Sequence, residues 1–244
     1  SNSMNTIQEA RYFKNYKYDD ARMKAVRKSL AQSVNEMVPL ILSRKQKPWN
    51  QSVADLPGNV LLMGGYRGLV LRDVKTRKRL WIPIKAGLNL RKVDLLLGPN
   101  REDELKAHET IVADGILSNV GPLDICKRLI KRFTMNPNVK FFNWGYDWRL
   151  SGDILARKLE RKLENIYNAT GEGTIVLCHS MGGLVTHGVV QRRPELFRGI
   201  IYIGCPSECL NILGPIRFGD SVGFLDKILT AECNFMMRLS FMFL

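Results

Sequence analysis

The segment "TIVLCHSMGGLV" (residues 174–185) constrains the fold of this 244-residue chain more than any other stretch. A short apolar run leads directly into the turn "HSMGG", and a sequence typical of a helix follows the turn. A strand that turns sharply into a helix holds the residue at the turn, here Ser180, in a strained backbone conformation clear of the sheet. Such a turn needs small residues two positions before and after the serine, and Cys178 and Gly182 occupy those positions. The pattern predicts a nucleophile elbow at Ser180.

The surroundings of such an elbow indicate how Ser180 would act. A serine hydroxyl is a weak nucleophile until a base removes its proton. The start of the following helix offers free N–H groups, and we expect the Met181 N–H to bind a developing oxyanion. A second donor is expected from a glycine-rich loop after an earlier strand, and "VLLMGGYRG" supplies Tyr66 N–H, with Gly65 as the next choice. A simple glycine turn is the alternative interpretation of this stretch.

Apolar runs and helical periodicities alternate along the chain. Their order implies βαβ crossovers and a parallel sheet, in which ligands meet the carboxyl ends of the strands. Residues 87–121 show no clear pattern and are predicted to be irregular. The predicted elements are a strand from Asn59, a hairpin within 69–84, a helix over 121–133, a strand over 139–144, a helix from about Asp153 to Tyr167, a strand over 174–178, a helix over 184–191 and a strand over 200–204.

Residues 1–58 are predicted to form a separate N-terminal part, made of an extended arm, a basic amphipathic helix and a linker. The helix begins near Asp19 and ends near Pro39, with apolar residues at a helical spacing. Its basic face either lies on an anionic membrane or points to water while the apolar face packs on the domain. The domain core is assigned to residues 59–244.

Composition limits the classes of partner. The net charge of +14 favours anionic partners such as phospholipid headgroups or nucleic acid, although solvated helix faces explain it equally well. Nucleic acid is the weakest of these options, because no aromatic residues are interleaved with the basic ones. The sequence has no metal-binding cluster and no dinucleotide fingerprint, so no metal and no cofactor are expected. It carries no signal for an oligomeric state.

The apolar runs also bear on localisation. The longest of them are too short to cross a bilayer, and the N-terminus has no apolar region typical of a secretion signal. The five cysteines are scattered and show no paired spacing. We therefore expect an intracellular location, either cytoplasmic or peripheral to membranes.

Two motifs together resemble a known family. The segment "NWGYDWRLSGD" followed by "CHSMGGLV" resembles the lecithin:cholesterol acyltransferase family, which includes lysosomal phospholipase A2 and phospholipid:diacylglycerol acyltransferase. The early oxyanion loop of that family would correspond to "GGYRG", residues 64–68, with glycine in place of the family's proline. The resemblance covers roughly residues 59–215 and is nearest to fungal members without an assigned function.

The resemblance implies an α/β-hydrolase-type parallel sheet flanked by helices and a Ser–Asp–His triad. Ser180 would take an acyl chain from a phospholipid and pass it to an alcohol or to water. In the "YDWR" segment we interpret Asp147 and Arg149 as a structural ion pair that braces the loop. Trp144 and Trp148 are interpreted as packing residues, with an acyl pocket as the alternative.

The acid and base of that triad are not identified in this sequence. The family order places Asp and then His after the serine, whereas the three histidines here are His108, His179 and His187. Asp220 and Asp226 follow Ser180 but come too early to match the family acid. The apolar end of the sequence strengthens the expectation that the C-terminal part of the fold, with the triad Asp and His, lies outside this chain. The chain alone is then expected to have at most weak activity.

Two alternatives to a lipid acyltransferase or phospholipase remain open at this stage. One is a plain carboxylesterase, because the sequence does not distinguish an alcohol from water as acceptor. The other is a non-catalytic protein that binds anionic membranes through one basic surface on two helices. That surface would consist of Lys127, Arg128, Lys131, Arg132, Arg157, Lys158, Arg161 and Lys162.

Overall fold

The computed structural model describes residues 56–81, 95, 97, 100–120 and 123–207. The predicted N-terminal helix, Asp220 and Asp226 lie outside these residues. The strands are β1 (Gly58–Met63), β2 (Leu69–Asp73), β3 (Arg79–Trp81), β4 (Ile111–Ile116), β5 (Asn119–Val120), β6 (Leu123–Asp124), β7 (Val139–Asn143), β8 (Thr174–His179) and β9 (Phe197–Ile203). The helices are α1 (Arg101–Lys106), α2 (Lys127–Met135), α3 (Gly152–Thr170) and α4 (Met181–Val190), with 3-10 turns at Ala107–Glu109 and Pro194–Leu196.

A parallel sheet of four strands, in the order β7-β1-β8-β9, forms the centre of the described part. Strand β1 lies between β7 and β8, and its residues from Asn59 to Met63 are all buried. A parallel strand covered on both faces is expected to be a continuous apolar run, as "VLLM" is here. The predicted fold class, an α/β protein with a parallel sheet flanked by helices, is confirmed.

The two faces of the sheet are covered by different helices. Successive side chains of a strand point to opposite faces. Leu61 and Met63 pack in one cluster with apolar residues of α3 and α4, whereas Val60 and Leu62 pack in a second cluster with Phe133 of α2. Helix α2 therefore covers one face, and helices α3 and α4 cover the other.

This arrangement corrects one expectation about the basic residues. Those of α2 and those of α3 were expected to form one membrane-binding surface, but their helices lie on opposite faces of the sheet. Part of the α3 charge also has local partners: Arg157 pairs with Asp153, and Lys162 Nζ lies 5.0 Å from the centre of the Phe142 ring. The two helices do not form a single basic surface.

Helix α3 shows how the sequence pattern produces the packing. Its apolar residues recur every three or four positions and so form one stripe that is buried against the sheet. The helix ends where Gly171 adopts a φ of 71° and donates its N–H to the Tyr167 carbonyl at 2.7 Å. The predicted stripe is confirmed in full, with Leu155, Leu159, Leu163 and Ile166 between 0% and 4% exposed.

A second, antiparallel sheet of three strands, in the order β3-β2-β4, packs beside the first. Its hairpin, β2 and β3, is where the sequence predicts it. The prediction that residues 87–121 are irregular is wrong for Arg101–Lys106 and for Ile111–Ile116. Strand β4 has the sequence "IVADGI", in which only Ile111 is buried. Its apolar and polar residues do not alternate clearly, so its sequence alone does not predict a strand. The antiparallel pairing with β2 holds it in the extended conformation.

Several element boundaries differ from the predictions, and the three largest differences at the start of an element are these. Helix α2 begins at Lys127 rather than near residue 121. Cys126 is its N-cap residue, and the Asp124 carboxylate accepts at 2.8 Å the Lys127 N–H, which has no partner within the helix. Helix α4 begins at Met181, three residues before the predicted start at Leu184. Strand β9 begins at Phe197 rather than at residue 200. The last two differences extend the predicted elements and keep their order.

The core predicts the effect of one large-to-small substitution. Leu159 is completely buried between α3 and the sheet, so Leu159→Ala should lower the free energy of unfolding by about 2–5 kcal/mol. Leu105→Ala on α1 is the matched control, because Leu105 is 54% exposed and its loss leaves no cavity. Urea unfolding of both variants measures the difference. Equal losses in the two variants would contradict this packing.

Candidate active site

The topology brings two loops together at the carboxyl edge of the sheet. Strands β1 and β8 are parallel neighbours, and Met63 pairs with Cys178 in their register. The residues that follow these strands, Gly64 and Gly65 after β1 and Ser180 after β8, therefore emerge side by side. This edge is where ligands bind in parallel α/β sheets.

Ser180 adopts the strained backbone that a nucleophile elbow requires. Its φ is 53° and its ψ is −128°, at the junction between β8 and α4. A non-glycine residue in such a region costs about 1–3 kcal/mol and persists only where its surroundings fix it. Here the Ser180 N–H donates to the Ile203 carbonyl at 2.9 Å, and the Ser180 carbonyl accepts the Gly183 N–H at 2.9 Å. The neighbouring strand β9 and the first turn of α4 thus fix the conformation.

The two glycines after Ser180 allow α4 to pack closely at the elbow. A Cβ on Gly182 would lie 2.6 Å from the Gly64 carbonyl oxygen, and a Cβ on Gly183 would lie 2.5 Å from Cys205 Sγ. Real Cβ atoms do not approach other atoms so closely, so both positions require glycine. The sequence pattern predicts a small residue at position 182, and this close approach to Gly64 is the reason.

Cys178 occupies the other small-residue position, two residues before Ser180. Its side chain is completely buried, and its Sγ donates to the Ile201 carbonyl at 3.5 Å. Burial raises the pKa of the Cys178 thiol to about 11. The thiol is therefore neutral at physiological pH and does not compete with Ser180 as a nucleophile.

The predicted oxyanion loop lies against Ser180. A Cβ on Gly65 would be 2.5 Å from Ser180 Cβ and 2.9 Å from Ser180 Oγ, so the loop backbone is in direct contact with the serine side chain. The Gly68 N–H donates to the Gly65 carbonyl at 3.0 Å and closes a four-residue turn that contains Tyr66. Met181 opens α4 on the other side of Ser180. The two backbone segments predicted to supply oxyanion donors thus flank the serine.

The "YDWR" segment packs directly on this loop. The Tyr146 hydroxyl donates to the Gly64 carbonyl at 2.7 Å, and Trp148 Nε1 donates to the Leu69 carbonyl at 3.3 Å. The Trp148 ring also meets the Tyr66 ring edge-on, with 5.1 Å between the ring centres. One segment therefore contacts the loop before, within and after its glycine turn.

Asp147 and Arg149 form the buried ion pair that the sequence predicts. Arg149 Nη2 donates to Asp147 Oδ2 at 2.7 Å, and Arg149 Nε donates to Asp147 Oδ1 at 2.9 Å. Arg149 Nη1 also donates to the Leu95 carbonyl at 3.0 Å. A buried pair with its hydrogen bonds satisfied holds the local backbone in one conformation, whereas loss of one partner leaves an uncompensated charge.

Trp144 and Trp148 pack against other side chains, as we predicted from the sequence. Trp148 is 1% exposed and belongs to the main core cluster. Trp144 is half-buried against that cluster, with its ring centre 5.2 Å from the Tyr146 ring centre. Trp148 is thus part of the core, in contact with the loop.

Two of the three histidines are hydrogen-bonded to residues near them in sequence. His108 Nδ1 hydrogen-bonds the Leu105 carbonyl at 2.7 Å, and His187 Nε2 lies 3.0 Å from Gln191 Nε2. His179 is exposed as a whole, although local desolvation lowers the pKa of its imidazole. Among residues 56–81 and 100–207, no described side chain hydrogen-bonds Ser180 Oγ.

The described residues contain no group of three or more His, Cys, Asp or Glu side chains placed to hold a metal ion. None of their helices is long and apolar enough to span a membrane.

The sheet, its helices and the elbow at Ser180 define an α/β protein of the hydrolase type. The sequence model of the family described as Lecithin:cholesterol acyltransferase matches residues 124–207, a range that includes the "YDWR" segment and the elbow. This match confirms the resemblance that the sequence predicts.

The chain is also similar to parts of two other proteins. An uncharacterized protein of Saccharomyces cerevisiae, YJR098C, is 50% identical over 261 aligned residues, which cover 100% of this chain and 39% of the relative. The chain thus spans well under half the length of that relative. A chain in the crystal structure of the Tle4-Tli4 complex is 17% identical with a TM-score of 0.43, over 68% of this chain and 49% of that one.

The sequence did not reveal which side chains hold the glycine loop, residues 64–68. Besides Tyr146 and Trp148, Trp81 contributes through Nε1, which donates to the Arg67 carbonyl at 2.7 Å. The joint presence of "YDWRL" and "HSMGG" was the available signal. It indicated the family, but the atoms that meet depend on the tertiary fold.

The contact between the loop and the elbow predicts a glycine-specific effect. Gly65→Ala should lower the melting temperature by several degrees, because its methyl group would overlap Ser180. Gly152→Ala is the control: nothing lies within 4 Å of the added methyl group, and alanine favours the first turn of α3. Thermal unfolding followed by circular dichroism compares the two. A Gly65→Ala protein as stable as Gly152→Ala would show that the loop does not contact Ser180.

Proposed function

We propose that this chain supplies the serine nucleophile and the oxyanion hole of a lipid acyltransferase or phospholipase that acts through an acyl-enzyme. The observation that supports this most strongly is Ser180 at φ 53° between β8 and α4, in contact with the glycine loop at Gly65. An ordinary strand–helix turn does not need a strained serine. The match to the lecithin:cholesterol acyltransferase family supports the lipid part of the proposal.

The proposed reaction has two acyl-transfer steps. Ser180 Oγ attacks the ester carbonyl of a phospholipid and gives up its proton to a base outside the described residues. The carbonyl oxygen becomes an oxyanion, which accepts hydrogen bonds from the Met181 and Tyr66 backbone N–H groups, with Gly65 as the next donor. The lysophospholipid leaves as an alcohol with one proton. The acyl group then passes from Ser180 to an acceptor hydroxyl or to water, which restores the serine.

The positive end of α4 adds to this stabilisation. The first N–H groups of a helix have no partner within it, and the helix dipole favours negative charge at that end. Because Met181 is the first residue of α4, its N–H lies where both effects act on a group bound at Ser180. The neutral Cys178 thiol beneath the elbow adds no opposing negative charge.

The proposal predicts covalent labelling at one serine. A fluorophosphonate probe added to the full-length native protein should label Ser180, and Ser180→Ala should abolish the label. Ser118→Ala is the matched control, because Ser118 Oγ bonds only to its neighbour Asn119 among the described residues and lies outside the elbow. Peptide mass spectrometry identifies the labelled residue. A label that persists in Ser180→Ala would exclude Ser180 as the nucleophile.

The substrate class needs a second assay. Phosphatidylcholine vesicles, with and without a long-chain alcohol, should yield free fatty acid, an alkyl ester or both when the native protein is added. Ser180→Ala should reduce either product by at least about a thousandfold, because the nucleophile is lost. If short soluble esters are cleaved and phospholipids are not, the protein is a carboxylesterase and the lipid part of the proposal is wrong.

A further inference from the structure

The Gly64 carbonyl is confined between two parts of the fold that are distant in sequence. The Tyr146 hydroxyl donates to it at 2.7 Å across a separation of 82 residues. On the other side, the first turn of α4 approaches so closely that a Cβ on Gly182 would lie 2.6 Å from the same oxygen. The position of this one oxygen is therefore set jointly by the "YDWR" segment and by the elbow helix.

The direction of that carbonyl fixes the direction of an oxyanion donor. A peptide unit is planar and trans, so its C=O and its N–H point in opposite directions. The Gly64 carbonyl and the Gly65 N–H belong to the same unit. A hydrogen bond that holds the carbonyl toward Tyr146 thus fixes the orientation of the Gly65 N–H, and Gly65 is the residue in contact with Ser180.

Four other carbonyls of this region accept hydrogen bonds from different groups. The Gly65 carbonyl accepts the Gly68 N–H at 3.0 Å, and the Gly68 carbonyl accepts the Leu117 N–H at 2.8 Å. Trp81 and Trp148 donate to the carbonyls of Arg67 and Leu69. Among the described residues, the hydrogen bond printed to the Gly64 carbonyl comes from the Tyr146 hydroxyl, and a substitution can remove this hydroxyl without changing the donors to the four later carbonyls.

Tyr146 is suited to this task because it is rigid and stays protonated. It is 2% exposed, and its ring packs against Trp144. Burial raises the pKa of its hydroxyl well above the ordinary value, so the group remains a hydrogen-bond donor throughout the physiological range. A donor of fixed position imposes one orientation on the peptide that it contacts.

We infer that Tyr146 is a positioning residue for the oxyanion hole, which acts by holding the Gly64–Gly65 peptide in the orientation that the transition state requires. This inference rests on the function proposed above. An oxyanion donor acts when charge develops on the substrate and contributes less to ground-state binding. Loss of the hydroxyl should therefore lower kcat and leave KM nearly unchanged, an effect that a merely structural tyrosine would not produce.

The test is Tyr146→Phe in the full-length protein, with p-nitrophenyl butyrate as the substrate. The variant keeps the ring and loses only the hydroxyl. We expect kcat per fluorophosphonate-titrated site to fall about 10- to 100-fold while KM stays within about twofold, since misplacement of one donor costs this much. Titration of active sites counts folded enzyme only, so partial unfolding of the variant does not imitate the effect.

Thr170→Val is the matched control. It also removes a hydroxyl that donates to a carbonyl, that of Ile166 at 2.8 Å, but at the far end of α3 from the elbow. Its kcat per titrated site should equal that of the wild type. An unchanged kcat in Tyr146→Phe, with wild-type Ser180 labelled by the probe, would overturn the inference alone. A wild-type protein that takes no label at Ser180 would overturn the proposed function and this inference together.

Discussion

The contact between Gly65 and Ser180 is the constraint on which the rest of the site depends. It requires β1 and β8 to be neighbours in register, so that the residues after each strand emerge at the same edge. It also requires glycine in the loop, because a Cβ on Gly65 would overlap the Ser180 side chain. The parallel sheet satisfies the first condition and the sequence "GGYRG" satisfies the second. Neither alone would bring backbone donors to the serine.

The strain at Ser180 is maintained by packing on three sides. Strand β9 accepts the Ser180 N–H through Ile203, and α4 closes its first turn on the Ser180 carbonyl. The glycine loop lies against the side chain, and the "YDWR" segment holds that loop through Tyr146 and Trp148. Stability and function are linked here, because the contacts that support an unfavourable φ also orient the groups that would take part in catalysis.

Residue type and spacing predicted those elements that depend mainly on interactions between residues close in sequence. The apolar runs of β1 and β8, the buried stripe of α3 and the glycines of the elbow all follow from residue type and spacing.

Strand β4 was missed because its apolar and polar residues barely alternate and its pairing with β2 is non-local. The predicted start of α2 was wrong for a local reason that periodicity does not show, the hydrogen bond from the Lys127 N–H to the Asp124 carboxylate. The sequence also did not predict that the basic helices α2 and α3 lie on opposite faces of the sheet, because this depends on the path of the chain between them. The Asp147–Arg149 pair was predictable from two opposite charges that are two positions apart, whereas the Tyr146 hydrogen bond joins residues 82 positions apart.

The most direct test of the account is to trap the acyl-enzyme. The full-length native protein would be mixed with phosphatidylcholine vesicles, quenched in acid within its first turnovers and digested for mass spectrometry. The account predicts that the peptide containing Ser180 gains the mass of one fatty acyl group, and that fragmentation places this group on the serine. If lipid is consumed while the acyl group appears on a different residue, Ser180 is not the nucleophile and the central claim is wrong.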